Sequence, residues 1–217
     1  TVKPKPPRGS KGLVGQWKFD GDAKDSSAEG NNGTIRGGAT FTSGKFGQAI
    51  SFDGVDDTVD MGDPEILDME DGDFALSAWV KLEETGNYQS IINKGTGDGP
   101  AGRGYRLLRT PAGELYFHIA DNVQSAILIS KATLTTQAWH HIVGIEEKGT
   151  LKLYLDNVLL GSADSSAVKN INTEFHLRLG NQQHGEVFFL KGLLDDICIF
   201  DKALSAEEIA KLWNNGS

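Results

Sequence analysis

The stretch KGLLDDICIFD, residues 191–201, constrains this chain more than any other. It reads as a strand with apolar residues on both sides of a carboxylate pair. In strict alternation Leu193, Ile197 and Ile199 share a face with Asp195, and Leu194, Cys198 and Phe200 share the other with Asp196. A strand apolar on both faces is normally buried on both faces. Two adjacent carboxylates in such a place are costly unless something neutralises them. A hard cation such as calcium, which takes oxygen ligands, is one answer. The other is a frayed strand end in water. The acidic loop at residues 20–32 is the expected source of further oxygens.

The rest of the chain fits a sheet protein. Its 27 glycines fall between short apolar runs. Asp53-Gly54 and Pro111-Ala112-Gly113 mark hairpins. Phe74, Leu76, Ala78, Val80 and Leu82 alternate cleanly in one strand. Near the end, Ser205 followed three residues later by Glu208 is a capping box, which predicts a short helix over residues 206–213. Many strands and one terminal helix predict an all-β sandwich. Residues 1–11, TVKPKPPRGSK, read as a Pro-rich linker, so residues 12–217 are expected to form one domain of a larger multidomain protein. A net charge of −9 argues against nucleic-acid or anionic-membrane partners. No apolar run is long enough for membrane insertion. The single cysteine, Cys198, precludes an internal disulfide and reads as a packed thiol. These residues carry no export signal, so an exported form would carry its signal elsewhere.

In order and spacing, GQWKFDGDAKDSSAEGNNG, GKFGQAISFDGVDDTVDMG, FALSAWVKL, IINKG, WHHIVGIEEKGTLKLYLDNVLL, LRLGNQ and GLLDDICIFDKALSAEEIAKLW resemble the bacterial laminin-G-like family of the concanavalin A-like lectin/glucanase superfamily. That resemblance implies a jelly-roll β-sandwich of two curved antiparallel sheets, the concave one often carrying ligand. It implies a non-catalytic carbohydrate-binding or adhesion module of a secreted or cell-surface protein, with structural calcium. It places Asp20, Asn32, Asp195 and Asp196 at metal positions, and a glycan or glycoprotein among Asn93, Lys94, Arg103, Tyr105, Asn181 and Gln182. Trp79 and Tyr116 are further aromatic candidates; Asp25 is expected to hold its own turn. The alternatives are a protein-interaction module of a larger surface protein, or a diverged glycoside hydrolase. The superfamily's glucanases space their acids by two on one strand, aiming them into one cleft. Here Glu65 and Asp68 are three apart, so a strand would split them, and Glu65, Asp68 and Glu70 read as a solvated acidic turn. Adjacent His140 and His141 face opposite sides of a strand and no nucleophile elbow occurs, so no catalytic triad is expected.

Overall fold

A computed structural model describes residues 12–70, 72–97 and 101–216; the expected linker at residues 1–11 lies outside them. The described strands form two antiparallel sheets. The first runs β13 (Val158–Asp164), β12 (Thr150–Leu155), β11 (His140–Glu146), β6 (Phe74–Leu82), β15 (Lys191–Phe200), β4 (Gln48–Asp53) and β3 (Thr40–Ser43), with β1 (Leu13–Trp17) also paired to β15. The second runs β10 (Ser125–Thr133), β9 (Glu114–Asp121), β8 (Arg103–Arg109), β7 (Gln89–Thr96), β14 (Arg178–Leu179), β5 (Thr58–Asp60) and β2 (Thr34–Arg36).

Alternation decides what the sheets bury. Leu76, Ala78, Val80 and Leu82 of β6 enter one core with Leu107, Phe117 and Ile119 of the second sheet. Gly144 sits opposite Leu76, and the Phe117 ring comes within 3.2 Å of where its Cβ would stand, so a side chain there would push the sheets apart. The other face of the first sheet carries a second apolar cluster. Ala75, Val143 and Ile145 pack under Leu204 and Ile209 of the segment that ends in α1 (Ala206–Asn215). Trp79 stacks on Trp213 at 5.1 Å between ring centroids. The central strands are therefore covered on both faces, which is why they read as apolar on both. No helix among the described residues is long and apolar enough to cross a membrane.

The closing strand departs from strict alternation. Leu194, Ile197 and Ile199 face the core, whereas Asp195 pairs with Trp79 on the helix side. A bulge between Asp195 and Cys198, with Asp196 at φ 44°, inserts one extra residue and resets the alternation. The expected grouping of Leu193 with Ile197 fails for this reason.

The capping box forms as read. Ser205 Oγ accepts from the Glu208 amide at 3.2 Å, and Glu208 Oε2 accepts from the Ser205 amide at 2.8 Å. Ser205→Ala is expected to cost about 1 kcal/mol. Urea unfolding checks this, and a loss below ~0.3 kcal/mol would mean that the cap is not holding α1 on the sheet.

Candidate functional site

The carboxylate pair lies where the β3–β4 turn meets the end of α1. Asp195 is fully buried, and its Oδ2 accepts from the amides of Lys45 and Phe46 at 2.8 and 2.9 Å. Asp20 Oδ1 accepts from the Gln48 amide at 2.8 Å on the other side of the same turn. Gly47 between them has φ +54° and lies so close to Asp20 that a Cβ would stand 2.1 Å from Oδ1. Burial pushes the Asp195 carboxyl up to about 6 against the pull of those amides, and the neighbouring Asp196 charge adds to the rise. Its Oδ1 has no protein donor.

The four residues expected to share a cation are not gathered at one point. Asp20 and Asp195 brace one turn, and Asp196 reaches Gly216 at the end of α1. Asn32 stands apart, its Oδ1 accepting from the Asp25 amide at 3.0 Å. At Asp195 the amides of Lys45 and Phe46 satisfy Oδ2 and leave Oδ1 without a protein donor. Asp25 holds its own loop as expected, accepting from the amides of Gln16, Ser27 and Asn31. Among the described residues, the three side chains whose ligand atoms come within 4.8 Å of one another are Asp53, Asp56 and Asp57, so these could hold a metal ion. Burial, with Asp53 and Asp56 adding to it, raises the Asp57 carboxyl.

The expected ligand residues are divided between the two sides of the second sheet. The register aligns Ile127, His118, Arg106, Asn93, Arg178 and Asp60 in one row on its outer face. Tyr105 and Lys94 pair with each other on the opposite side, facing the core. Tyr105 donates to the Leu67 carbonyl at 3.0 Å. Lys94 Nζ lies 2.6 Å from Asp63 and 2.9 Å from Asp68, and donates to the Thr173 and Phe175 carbonyls. Both side chains therefore pin the end of the sandwich and present nothing to a ligand outside it. Arg103 is exposed and lines a separate groove with Asp63, Glu65 and Glu174. Trp79, stacked under α1, is closed to solvent, and Tyr116 is buried on the outer face. The Glu65–Leu67 segment is a 3-10 turn, so Glu65 and Asp68 do not alternate along a strand; both line the groove with Arg103, where Asp68 is tied to Lys94.

Residues 181–189 fold back over the outer row. Gln182 Oε1 accepts from Arg106 Nη1 at 3.0 Å, and Asn181 Oδ1 accepts from Thr58 Oγ1 at 2.8 Å. Glu186 accepts from Arg178 at 2.9 Å and from Asn181 at 2.8 Å. The segment's outer side forms one wall of a groove of about 570 Å³, shared with Thr85, Asn87 and Tyr88. Tyr88 is 38% exposed and lies 5.2 Å from the Phe188 ring. Sequence reasoning missed Arg106, His118, Arg178 and Tyr88. The signal for Arg106 was present, since alternation in RGYRLLR separates it from Tyr105. Tyr88 meets Phe188 only in the folded chain.

The family described as the Concanavalin A-like lectin/glucanases superfamily matches residues 53–210. A search of curated proteins found no match. Among solved structures, the binding domain of Paraclostridial Mosquitocidal Protein 1 superposes with a TM-score of 0.77 at 18% identity, over 94% of this chain and 52% of that one. The Botulinum Neurotoxin serotype G binding domain gives 0.72 at 15% identity, over 93% and 50%. This chain thus spans about half the length of these toxin domains. Domain 4 of AbnA, a GH43 extracellular arabinanase from Geobacillus stearothermophilus solved in complex with arabinotriose, gives 0.70 at 20% identity, over 94% and 100%. Identities this low establish a shared fold. With the family matched across most of its length and the two-sheet architecture in place, the chain belongs to the Concanavalin A-like lectin/glucanases superfamily, as a laminin-G-type β-sandwich domain.

Proposed function

We propose that this domain is a non-catalytic carbohydrate-binding module of an extracellular or cell-surface protein. The observation that carries the reading is the groove in which Tyr88 and Phe188 stand beside Asn87 and Thr85. Sugar rings stack their C–H faces on aromatic side chains, while amides and hydroxyls address the ring hydroxyls. The arabinanase domain, of like fold and full length, was solved with an oligosaccharide, which is in keeping with this reading. Asn93, Asn181 and Gln182 stay within it as residues of the same side of the sheet; Lys94 and Tyr105 do not.

The test is an oligosaccharide array that includes arabino-oligosaccharides, run with and without chelator. Tyr88→Ala is expected to weaken retention at least tenfold, about 1.4 kcal/mol, with the melting temperature unchanged. Equal retention by both forms would remove the groove from the reading. A structural calcium belongs to the proposal at Asp53, Asp56 and Asp57, and an unfolding curve unmoved by excess chelator removes it. A second reading, protein recognition, rests on Ile127 and Ile129, which are 40% and 47% exposed on the same side of β10. Binding to a protein that survives enzymatic deglycosylation, with an empty array, would favour it.

A further inference from the structure

Beneath residues 181–189 lies a set of buried polar atoms with no protein partner: Ser90 Oγ, both polar atoms of Asn93, His118 Nε2 and Arg178 Nε. All four residues sit on the outer side of the second sheet, where each strand's pairing sets the direction. Ser90 and Asn93 are fully buried, His118 is 1% exposed and Arg178 9%. An outward-facing row becomes this buried only because something lies on it.

The chemistry of these atoms can be read individually. Arg106 Nε donates to His118 Nδ1 at 3.1 Å, so Nδ1 is the acceptor nitrogen and Nε2 carries the proton. The floor therefore offers N–H donors from His118, Arg178 and Asn93, with acceptors at Asn93 Oδ1 and Ser90 Oγ. Asn93 brings a donor and an acceptor on one planar group. A ligand with neighbouring hydroxyls, each both donor and acceptor, satisfies such a set; an apolar or singly charged ligand does not.

The covering segment is held by hydrogen bonds and ion pairs, with no apolar core residue of its own among the buried hydrophobics, and its backbone is under strain. Glu186 and Phe188 adopt φ 47° and 62°, in the left-handed region that side chains disfavour. Its ties are polar: Gln182 to Arg106 and Asn181 to Thr58 are buried, the Ser90 amide donates to the Phe188 carbonyl at 2.8 Å, and the others lie nearer the surface. Glu186 is mostly exposed while it holds Arg178 and Asn181, Gln183 Oε1 accepts from the His176 amide at 2.8 Å, and Gln182 and Val187 bridge to each other. A closed state that combines orphaned polar atoms beneath with a strained backbone above is one from which a small gain in binding can release the segment.

We propose that residues 181–189 form a displaceable strap over a sugar-binding floor made by Ser90, Asn93, His118 and Arg178, and that a neutral oligosaccharide binds by lifting the strap and pairing its hydroxyls with those residues. The proposal rests on the carbohydrate reading above and adds a gate to it. In the closed state the Gln182 carboxamide occupies Arg106, which a sugar hydroxyl would replace.

Acylation of His118 by diethyl pyrocarbonate, followed by peptide mass spectrometry, reads the strap directly, because the reagent must reach the ring. Wild-type His118 is expected to react slowly, and Glu186→Ala and Gln183→Ala each to raise its rate at least tenfold while still unfolding cooperatively. Equal protection in wild type and in both variants overturns the strap. Arabinotriose, and the oligosaccharide best retained on the array, are then titrated into wild type and Glu186→Ala. Binding at least tenfold tighter to the variant, with His118 shielded again when sugar is bound, supports the proposal. Equal affinity, with His118 of the sugar-bound variant still reacting fast, places the sugar elsewhere; that overturns the floor and leaves the carbohydrate reading standing. A strap that opens in the variant while no oligosaccharide binds either form overturns both.

Discussion

Lys94→Met is expected to lower the unfolding free energy by about 3–5 kcal/mol, because removing one partner of a buried ion cluster leaves the others uncompensated. The Lys94 side chain is 1% exposed and its ammonium lies between Asp63 and Asp68, which are themselves 32% and 18% exposed. It also satisfies the carbonyls of Thr173 and Phe175, so it ties β7 to both segments that close this end of the sandwich. For a domain of this length the loss corresponds to a fall in melting temperature on the order of 10 °C. Urea and thermal unfolding of the variant give the result. The measurement also separates two roles for one residue. A ligand-contacting lysine would give a variant of normal stability and weakened glycan retention, and that outcome would sink the structural assignment.

Stability is expected to fall as pH drops below about 6.5, with His118 and His141 as the two largest single sources. Burial holds His118 down to about 3, helped by the Arg106 charge, and His141 down to about 4, with Asp156 pulling weakly the other way. Both rings are neutral in the folded chain at pH 5, whereas in the unfolded chain they bind protons below about 6.5. A depressed folded pKa therefore contributes stability that is fully present above the unfolded value and is lost as pH falls toward the folded one. Each ring contributes a loss of about 1.4 kcal/mol per pH unit in that window. Asp195 works in the opposite direction: its folded pKa is raised to about 6, so it gains a proton first in the folded state and returns stability as pH falls below that. Asp57, also raised by burial, acts in the same direction as Asp195. The histidine losses begin at about 6.5, above the pH at which Asp195 takes up its proton, so the first response to falling pH is a loss. Comparing urea unfolding at pH 7, 6 and 5 for wild type and His118→Gln isolates one ring. The variant's stability is expected to decline less steeply, by about 1.4 kcal/mol per pH unit. Parallel curves would mean that His118 titrates normally and that the row beneath the strap is wet.

Several elements were legible in the residues because their causes are local. The alternation of residues 74–82, the Pro111-Ala112-Gly113 hairpin and the Ser205–Glu208 capping box each act within a few positions and appear where they were read. Asp25 was legible for the same reason, since its partners at Ser27 and Asn31 lie in its own loop. Asp53-Gly54 does not close the expected hairpin: it carries the chain from β4 in the first sheet to β5 in the second, because the two strands pair with other partners. The doubly buried character of the closing strand was also written in its composition, because α1 covers one side and the second sheet the other. The family resemblance rested on the order of such local signals, and the match over residues 53–210 agrees with it.

Direction and partnership were decided elsewhere. A single bulge at Asp195–Asp196 shifted the alternation of β15 by one residue, and period-two reasoning has no means to foresee an inserted residue. Asp195 found its donors about 150 positions away, in the amides of Lys45 and Phe46, so a cation was not needed there to satisfy Oδ2. Asn93 and Lys94 are neighbours in sequence and point to opposite sides of the sheet, one to the row under residues 181–189 and the other to Asp63 and Asp68. The sequence by itself determined the sandwich, its terminal helix and its family, since these follow from periodicity and from backbone preferences that each residue carries with it. Only the tertiary structure decided which polar groups meet, because burial and pairing depend on what the rest of the chain lays over a surface after the sheets have formed.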